Sequence, residues 1–349
     1  MLDLKFIREQ PDRVKETLRQ RGISFDLDGL LAAEAKLRAL VQKVEEIRHE
    51  KRVASDEIGQ RKRKGDRVEP ELARLRKVSE EEDRLSGEAA QLEVALKEKL
   101  LLIPNLPHAS VPAGPGPKAN QVARAWGEPR KFSFQPRNHM ELAESLRLID
   151  FERAAKISGS HFVLFTGLGA RLERALINFM LDFHTQRHGY TEIWPPQLVN
   201  RAAMTGTGQL PKFEEEMYRL KEDDLFLVPT AEVPVTNLYA GEILEAKELP
   251  RYLTAYTACY RREAGSYGKE TRGLVRVHQF DKVELVKFVA PESSYDELEK
   301  LVKDAEEVLQ LLELPYRVVA LSTGDLGFAS AKTYDLEAYS AGTESWLEV

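Results

Sequence analysis

Arginine, carboxylate and aromatic side chains are concentrated between residues 260 and 284. Two runs carry them, Tyr260-Arg261-Arg262-Glu263 and Arg276-Val277-His278-Gln279-Phe280-Asp281-Lys282-Val283-Glu284, and a glycine-rich stretch over residues 264–273 separates them. The pattern predicts a strand, a mobile loop and an antiparallel strand. Because residues two apart on a strand face the same way, Arg261 would share a face with Glu263, and Arg276 would share one with Phe280 and Glu284.

Such a face suits a nucleotide and a small substrate that carries an ammonium group. Arginine neutralises phosphate, carboxylate holds an ammonium group or a metal ion, and an aromatic ring stacks on a purine. A ladder of cross-strand salt bridges would also pair arginine with glutamate, but it would not require a glycine-rich loop. Both interpretations stay open on the pattern alone, which favours the nucleotide site.

Two long helices are predicted ahead of this region. In the first, apolar residues recur at heptad spacing, with Lys51 as the charged interruption: Leu30, Leu37, Val44 and Ile58, and Ala33, Leu40, Ile47 and Ala54. After a break at Gly65-Asp66, a second apolar seam follows Pro70, which suits a first helical turn. The seam contains Leu75, Val78, Leu85, Ala89, Leu92, Leu96 and Ile103. We expect an antiparallel hairpin of helices about 35 residues and roughly 50 Å long, which projects into solvent.

The turn of this hairpin is basic. Its cationic residues are Arg61, Lys62, Arg63, Lys64 and Arg67. Clustered cations contact phosphate, so the tip is a candidate RNA-binding patch. Any contact with nucleic acid must rest on such a local surface, because the formal net charge of the chain is −6. A solvated turn carries similar charges, and heptads alone also fit a dimerisation or spacer coiled coil.

Proline marks a domain boundary behind the hairpin. Residues 104–117 contain five prolines and two glycines, which support neither a helix nor a central strand. We predict a helical arm over residues 1–103, a linker over 104–130 and a second domain over 131–349. There, short β-rich runs alternate with amphipathic helices, as is typical of an α+β domain.

Composition restricts the compartment. The chain has 349 residues and one cysteine, Cys259, so it can build neither a disulfide framework nor a cysteine-rich zinc site by itself. The first residues mix apolar and charged side chains, unlike a signal peptide. No run approaches the ~20 apolar residues of a membrane helix. We expect a soluble, cytoplasmic protein without a membrane partner.

Five short runs occur along the chain in a recognisable order. They are residues 1–22, Gly189-Tyr190-Thr191-Glu192-Ile193-Trp194-Pro195-Pro196, Gly206-Thr207-Gly208-Gln209-Leu210-Pro211, Pro229-Thr230-Ala231-Glu232 and Tyr260-Arg261-Arg262-Glu263. In this order they resemble the seryl-tRNA synthetases, a family of class II aminoacyl-tRNA synthetases. The second run is similar to motif 1 of that class, the fourth to the serine-binding loop and the last to motif 2. The resemblance covers the whole chain.

The resemblance implies a fold and an activity. The fold would be of the α+β class, with the class II antiparallel sheet flanked by helices and an N-terminal coiled-coil arm that binds tRNA. The activity would be that of a serine–tRNA ligase, which uses ATP to convert L-serine to seryl-adenylate and transfers the seryl group to the 3′ end of tRNA(Ser). The family implies tRNA(Sec) as a further acceptor, Mg²⁺ on the ATP phosphates and a homodimer formed through motif 1.

The resemblance also implies roles for individual residues. Arg261 would bridge the serine carboxylate and the α-phosphate of ATP, with Glu263 and Arg276 completing the catalytic set. The serine ligands would be Thr230, Ala231, Glu232, Arg261 and Glu284. The ATP-binding residues would be Arg261, Arg262, Glu263, Val277, His278, Gln279, Phe280, Glu348 and Val349, and Glu348 would also bind Mg²⁺. Because the substrates supply both nucleophiles, His278 is interpreted as positional.

The family pattern continues past Val349 into a serine-rich strand and motif 3, which carries a further arginine for ATP. Glu348-Val349 would lie in a central strand, so we expect a fragment or a truncated product with impaired activity. Two alternative functions stay open. One is a truncated, catalytically impaired homologue that binds tRNA, and the other is an amino acid:carrier-protein ligase, whose relatives generally lack the long hairpin.

Overall fold

The computed structural model describes residues 2–65, 67–264 and 273–349. The chain divides into two compact units, Met1–Pro107 and His108–Val349. The described helices of the first unit are α1 (Leu4–Glu9), α2 (Pro11–Gln20), α3 (Leu27–Arg63) and α4 (Glu69–Leu100). The long helices α3 and α4 pack against each other as a hairpin, so the predicted helical hairpin is confirmed.

The predicted heptad residues form the seam of the hairpin. Val44, Ile47 and Leu85 are buried together, and Leu40 and Val78 pack against them. At the open end of the hairpin, a larger core joins α3 and α4 to α1 and α2, and its buried members are Ile7, Val14, Leu18, Leu27, Leu30, Leu96, Leu100 and Ile103. Pro70 lies in the first turn of α4 as predicted, and Gly65 takes a φ of +83° in the turn, a conformation that favours glycine.

Lys51, the charged interruption of the first seam, is accommodated by partners on the facing helix. Its Nζ lies 2.7 Å from Ser79 Oγ and 2.8 Å from Glu82 Oε2. Glu82 also accepts a hydrogen bond from Arg48 Nε at 2.9 Å, and the pKa of its carboxyl is lowered by these hydrogen bonds. A charged layer of this kind favours one register between two helices, because a slip would separate the opposite charges.

The second unit contains the described helices α5 (His139–Ser145), α6 (Phe151–Ser158), α7 (Leu168–Arg187), α8 (Arg201–Gly206), α9 (Glu232–Thr236) and α10 (Ser294–Leu311). Its described strands are β1 (Gln121–Trp126), β2 (Thr191–Glu192), β3 (Leu198–Asn200), β4 (Arg219–Leu220), β5 (Leu225–Leu227), β6 (Arg251–Tyr260), β7 (Gln279–Phe288), β8 (Tyr316–Ala320), β9 (Tyr334–Ser340) and β10 (Ser345–Glu348). They form three sheets with the strand orders β1-β8-β9-β10, β2-β6-β7 and β3-β5-β4.

All of the described strand pairs are antiparallel except β2 with β6. The pair β6–β7 is the longest and runs from Arg251 opposite Phe288 to Tyr260 opposite Gln279. On one face of this pair, an apolar core is formed by Ala231, Val235, Leu253 and Ala255. Helix α7 contacts both strands. The expectation of an α+β domain built on an antiparallel sheet with flanking helices is confirmed.

The predicted linker is wrong over residues 121–126. These residues form strand β1 at the edge of a sheet, where Gln121 pairs with Ala320 and Trp126 with Tyr316. The prolines that suggested a linker end at Pro117, so they leave the following backbone free to form hydrogen bonds. The indole of Trp126 stacks 5.8 Å from the ring of Tyr316, which adds a side-chain contact that fixes the edge strand.

The predicted strand over residues 276–284 is wrong for its first three residues, because β7 begins at Gln279. The backbone that precedes β7 forms hydrogen bonds with residues distant in sequence. Leu274 N donates to His139 Nε2 at 3.1 Å, and His278 N donates to the carbonyl oxygen of His161 at 2.9 Å. The alternation of polar and apolar residues gave no sign of these distant partners. Within the described residues, no helix has the length and apolar content needed to cross a membrane.

Candidate active site

Arg261 lies one residue beyond β6, where the strand pair opens. Its backbone N–H donates to the carbonyl oxygen of His278 at 3.0 Å, and the ring Nδ1 of His278 lies 2.9 Å from the Arg261 carbonyl oxygen. The guanidinium Nε donates to the Pro229 carbonyl oxygen at 3.3 Å, and Cζ lies 5.0 Å from the centroid of the Phe280 ring. The arginine is therefore positioned between the loop that carries Thr230 and the predicted purine platform.

Glu263 and Arg276 form an ion pair of 3.0 Å between Oε2 and Nη1. The prediction that Arg261 and Glu263 share a strand face is wrong, because β6 ends at Tyr260 and Glu263 has a φ of +50°. The left-handed conformation turns the chain out of the strand and brings Glu263 to Arg276. Arg262 is exposed, and its N–H donates to the carbonyl oxygen of Glu216 at 2.8 Å.

Three of the predicted serine ligands are connected by hydrogen bonds. Thr230 is 3% exposed, and its Oγ1 donates to Glu284 Oε2 at 2.6 Å. The backbone N–H of Glu232 donates to the same Thr230 hydroxyl at 3.1 Å. Ala231, the fourth predicted ligand on this side, is completely buried in the apolar core beneath. Its methyl group therefore serves packing, and any contact with a substrate would come from its backbone.

The carboxylates of Glu232 and Glu284 lie close enough to influence each other. Burial raises the pKa of Glu232, and the charge of Glu284 raises it further, whereas Lys282 and Arg261 lower it. Glu232 is nevertheless among the exposed residues of the structure. Two carboxylates in a partly desolvated position attract a cation, because a cation removes their mutual repulsion. The pair therefore suits a substrate ammonium group.

The other predicted ATP-binding residues surround the start of β7. Val277 is 8% exposed and contributes to packing, and Gln279 is exposed. The ring of His278 is surrounded by the rings of His161, Phe162 and Tyr218, whose centroids lie 5.7, 5.3 and 6.3 Å away. This packing, together with the bond to the Arg261 backbone, fits the positional interpretation of His278. The predicted loop residues 265–272 lie outside the described residues.

Glu348 lies in β10, opposite Glu337 of β9, and Val349 N donates to the carbonyl oxygen of Leu336 at 3.0 Å. Asp335 lies nearby. Burial first, and then the charges of Glu348, Asp325 and Glu337, raise its pKa to about 7. Within the described residues, no group of three or more side chains is arranged to hold a metal ion. Mg²⁺ needs only one or two carboxylates when substrate phosphates complete its ligands, so Glu348 and its acidic neighbours fit a cation brought by a nucleotide.

Sequence reasoning missed several residues that build the site. Lys282 was placed on the charged face, but no role was assigned to it, and its Nζ lies 2.9 Å from Glu284 Oε2. The spacing of two residues on one strand was a signal for this contact. His139 and the Pro229 carbonyl oxygen gave no signal, because their contacts join segments distant in sequence.

The five predicted tRNA-binding residues, Arg61, Lys62, Arg63, Lys64 and Arg67, are all exposed at the tip of the hairpin. Arg61 forms an ion pair with Glu71 of the facing helix. Lys62 and Arg63 lie in the last turn of α3, where cations also interact favourably with the helix dipole. The tip therefore presents a basic surface, as predicted.

Comparisons with known proteins extend over the whole chain. Residues 1–107 match the seryl-tRNA synthetase N-terminal domain, and residues 212–349 match the tRNA synthetase class II core domain (G, H, P, S and T). The chain is 55% identical to a serine–tRNA ligase of Geobacillus kaustophilus and 52% identical to that of Carboxydothermus hydrogenoformans, covering 100% of this chain and 82% of each relative. The structure of a seryl-tRNA synthetase from Pyrococcus horikoshii in complex with ATP superposes with a TM-score of 0.92 at 37% sequence identity. The match covers 100% of this chain and 83% of the Pyrococcus chain.

The acidic group around Asp335 predicts a pH-dependent stability. The carboxyl has an ordinary pKa of 3.8 and a folded-state pKa of about 7, so its ionisation is opposed only in the folded state. Its contribution to the free energy of unfolding therefore falls as pH rises from about 4 to about 7. We expect Asp335→Asn to raise the thermal midpoint by a few degrees at pH 8 and much less at pH 5.

Scanning calorimetry at both pH values, with and without Mg²⁺, measures this effect. Asp223→Asn, at an exposed carboxylate in a turn, is the matched control and should show no such difference. Mg²⁺ at pH 8 should stabilise the unsubstituted protein more than the Asp335→Asn variant. An equal effect of Asp335→Asn at both pH values would contradict the assignment.

Proposed function

The chain belongs to the seryl-tRNA synthetase family and is a serine–tRNA ligase, and we propose that Arg261 joins its two anionic substrates while Thr230, Glu232 and Glu284 select serine. Relatives more than 50% identical over the whole chain favour this activity over a carrier-protein ligase or an inactive tRNA-binding homologue. In the first step, a serine carboxylate oxygen bonds to the α-phosphorus of ATP, and the bond to pyrophosphate breaks. In the second, the terminal ribose hydroxyl of tRNA(Ser) attacks the seryl carbonyl, loses its proton and displaces AMP.

Arg261 is the residue on which the first step depends. The attacking carboxylate and the α-phosphate are both anionic, so their approach costs electrostatic free energy. A guanidinium that contacts both groups offsets this repulsion and stabilises the charge of the pentavalent transition state. The single observation that carries the proposal is that the Arg261 guanidinium is held between Pro229, beside the serine ligands, and the Phe280 ring.

Selection of serine follows from the polar groups next to Arg261. Thr230, which is buried, and Glu284, which is partly buried, form a hydrogen-bonded pair, and the backbone N–H of Glu232 donates to the Thr230 hydroxyl. A substrate with an ammonium group and a hydroxyl supplies partners for these groups. Alanine lacks the hydroxyl and would leave polar groups unpaired, which costs far more than the loss of one apolar contact.

ATP is assigned to the opening of the strand pair. Phe280 supplies the surface for the purine, and the backbone from Val277 to Gln279 with Glu263 holds the adenosine. Arg262 and Arg276 bring positive charge to the phosphates. Mg²⁺ would be held by Glu348, with Val349 beside it, and when bound it neutralises phosphate charge. The acidic neighbours of Asp335, which together with burial raise the pKa of its carboxyl, support a cation at this position.

We propose that the partner of the second unit is another copy of the same chain. Helix α7 and the run containing Trp194 border a cavity of about 370 Å³ lined by Phe165, Ala170, Glu173, Arg174, Ile177, Asn178, Leu181, Trp194, Tyr256 and Asp281. Around it, Leu168, Leu172 and Trp194 are 69%, 54% and 73% exposed. A cluster of exposed apolar side chains beside a cavity favours an isologous dimer, in which each copy covers the same patch of the other.

The basic tip is assigned to tRNA. Contacts with backbone phosphates and RNA shape account for a charged tip without a stacking platform. We propose that tRNA(Sec) is a second acceptor, because a tip that reads shape accepts any tRNA with a similar variable arm. Charging of purified tRNA(Sec) tests this point.

The reaction and the buried state of Cys259 also favour a cytoplasmic location.

Serine-dependent exchange of pyrophosphate into ATP tests the role of Arg261. We expect Arg261→Gln to lower kcat by about 100-fold or more, because it removes a cation that acts on the transition state, and Arg261→Lys to restore only part of the rate, because lysine lacks the planar fork. Arg130→Gln, at an exposed arginine of the same unit, is the control. If Arg261→Gln retains normal exchange, the proposed site is wrong.

Aminoacylation kinetics test the tip. We expect Lys62→Ala/Arg63→Ala to raise KM for tRNA by about tenfold and to weaken its salt dependence, since two phosphate contacts are removed. Pyrophosphate exchange, which needs no tRNA, should not change. The matched control is Lys97→Ala/Lys99→Ala, at the opposite end of the hairpin. Equal KM values for both double variants would remove the tip from tRNA binding.

Sedimentation velocity tests the dimer. The unsubstituted protein should sediment with twice the mass of the chain, and Trp194→Asp should shift it towards the monomer, because a charge would then be buried in the interface. Val94→Asp, at a 60% exposed residue of the arm, should have no effect. A monomeric unsubstituted protein at micromolar concentration would refute the assembly.

A further inference from the structure

Lys282 lies inside the proposed serine site, and none of the roles described above uses it. It is placed opposite Thr257 in the β6–β7 register and on the same face of β7 as Phe280 and Glu284. Its side chain is 35% exposed and that of Glu284 is 19% exposed. The Lys282 side chain is therefore partly shielded from water, and its ammonium group interacts with a charged group of the protein.

The nearest contact of Lys282 is with one carboxylate oxygen of Glu284. Its Nζ lies 2.9 Å from Glu284 Oε2, which is also the oxygen that accepts the Thr230 hydroxyl at 2.6 Å. Two donors that converge on Oε2 hold the plane of the carboxylate in one orientation. Oε1, the second oxygen, is then the one to which a substrate can donate without displacing either partner.

Charge balance gives Lys282 a second effect. The charged groups that act on Glu232 are the anionic Glu284 and the cationic Lys282 and Arg261. In the proposed reaction, Arg261 interacts with the serine carboxylate and the α-phosphate. Lys282 is then the cation that offsets the repulsion between Glu232 and Glu284.

We propose that Lys282 is a positioning residue for serine, which anchors Glu284 through Oε2 and offsets the charge of the Glu232–Glu284 pair so that both carboxylates receive the substrate ammonium. The inference rests on the proposed role of Glu232 and Glu284 as serine ligands. If Lys282 only occupied the ammonium position of the empty site, its removal would free Glu284 and increase the affinity for serine. A positioning role predicts the opposite, a lower affinity for serine.

The test compares Lys282→Met with Lys282→Arg in serine-dependent pyrophosphate exchange at pH 6.5, 7.5 and 8.5. We expect Lys282→Met to raise KM for serine by about tenfold at pH 6.5, the loss of one charge-assisted hydrogen bond, with KM for ATP unchanged. The increase should become smaller as the pH rises, because burial and the charge of Glu284 raise the pKa of Glu232, and a higher pH ionises this carboxyl without the help of Lys282. Lys282→Arg should restore KM for serine to within about threefold, because arginine keeps the charge.

Several results would overturn the proposal. They are an unchanged or lowered KM for serine in Lys282→Met, an increase of the same size at every pH, and an arginine variant no better than the methionine variant. Lys303→Met, at an exposed lysine of α10, is the matched control. Lys282→Gln replaces the methionine variant if the latter fails to fold, as judged by circular dichroism and thermal midpoint.

Glu284→Gln separates this inference from the proposed function. If Glu284→Gln leaves KM for serine unchanged, Glu284 is not a serine ligand, and both proposals fail. If Glu284→Gln raises KM for serine while Lys282→Met does not, only the role of Lys282 fails. Calorimetric titration of each variant with serine alone, at the same three pH values, reports binding directly and should give the same order of affinities.

Discussion

The antiparallel pairing of β6 with β7 is the interaction on which the site depends. Ten residue pairs run from Arg251–Phe288 to Tyr260–Gln279. This register places Phe280, Lys282 and Glu284 on one face of β7, and the N–H of Arg261 continues the hydrogen bonding by one step. Because a slip of one residue moves every side chain of a strand to the other face, the long pairing protects the chemistry from a change of register.

The serine ligands are joined to this strand pair by a few polar contacts. The N–H of Tyr260 donates to the carbonyl oxygen of Val228 at 2.9 Å, the Arg261 guanidinium reaches Pro229, and Thr230 bonds to Glu284. Ala231 is buried beneath them. Backbone hydrogen bonds and the buried Ala231 together fix this loop, so Thr230 and Glu232 have little conformational freedom. Discrimination between small substrates requires such fixed ligands.

Charged side chains that are partly buried have different effects in three parts of this chain. In the arm, Lys51 with Glu82 favours one register of two helices. In the serine site, Lys282 with Glu284 orients a ligand. Around Asp335, burial and the charges of Glu348, Asp325 and Glu337 raise the pKa of the carboxyl, although Arg317 forms an ion pair with Glu337. The first arrangement favours the fold, whereas the last costs stability at neutral pH and suits a cation that arrives with a nucleotide.

The sequence by itself determined the hairpin, the α+β class and the family, because heptads, short motifs and their order are local properties that need no knowledge of distant contacts. It also identified the charged side chains of the site, although it assigned Arg261 and Glu263 to one strand face and placed residues 276–278 in a strand. Only the tertiary structure decided that Glu263 turns out of β6 to meet Arg276, that His139 and His161 hold the approach to β7, and that residues 121–126 close the edge of a sheet. Each of these depends on partners far away in the chain, and the hydrogen bonds that such partners supply leave no periodic signal in the segment that receives them.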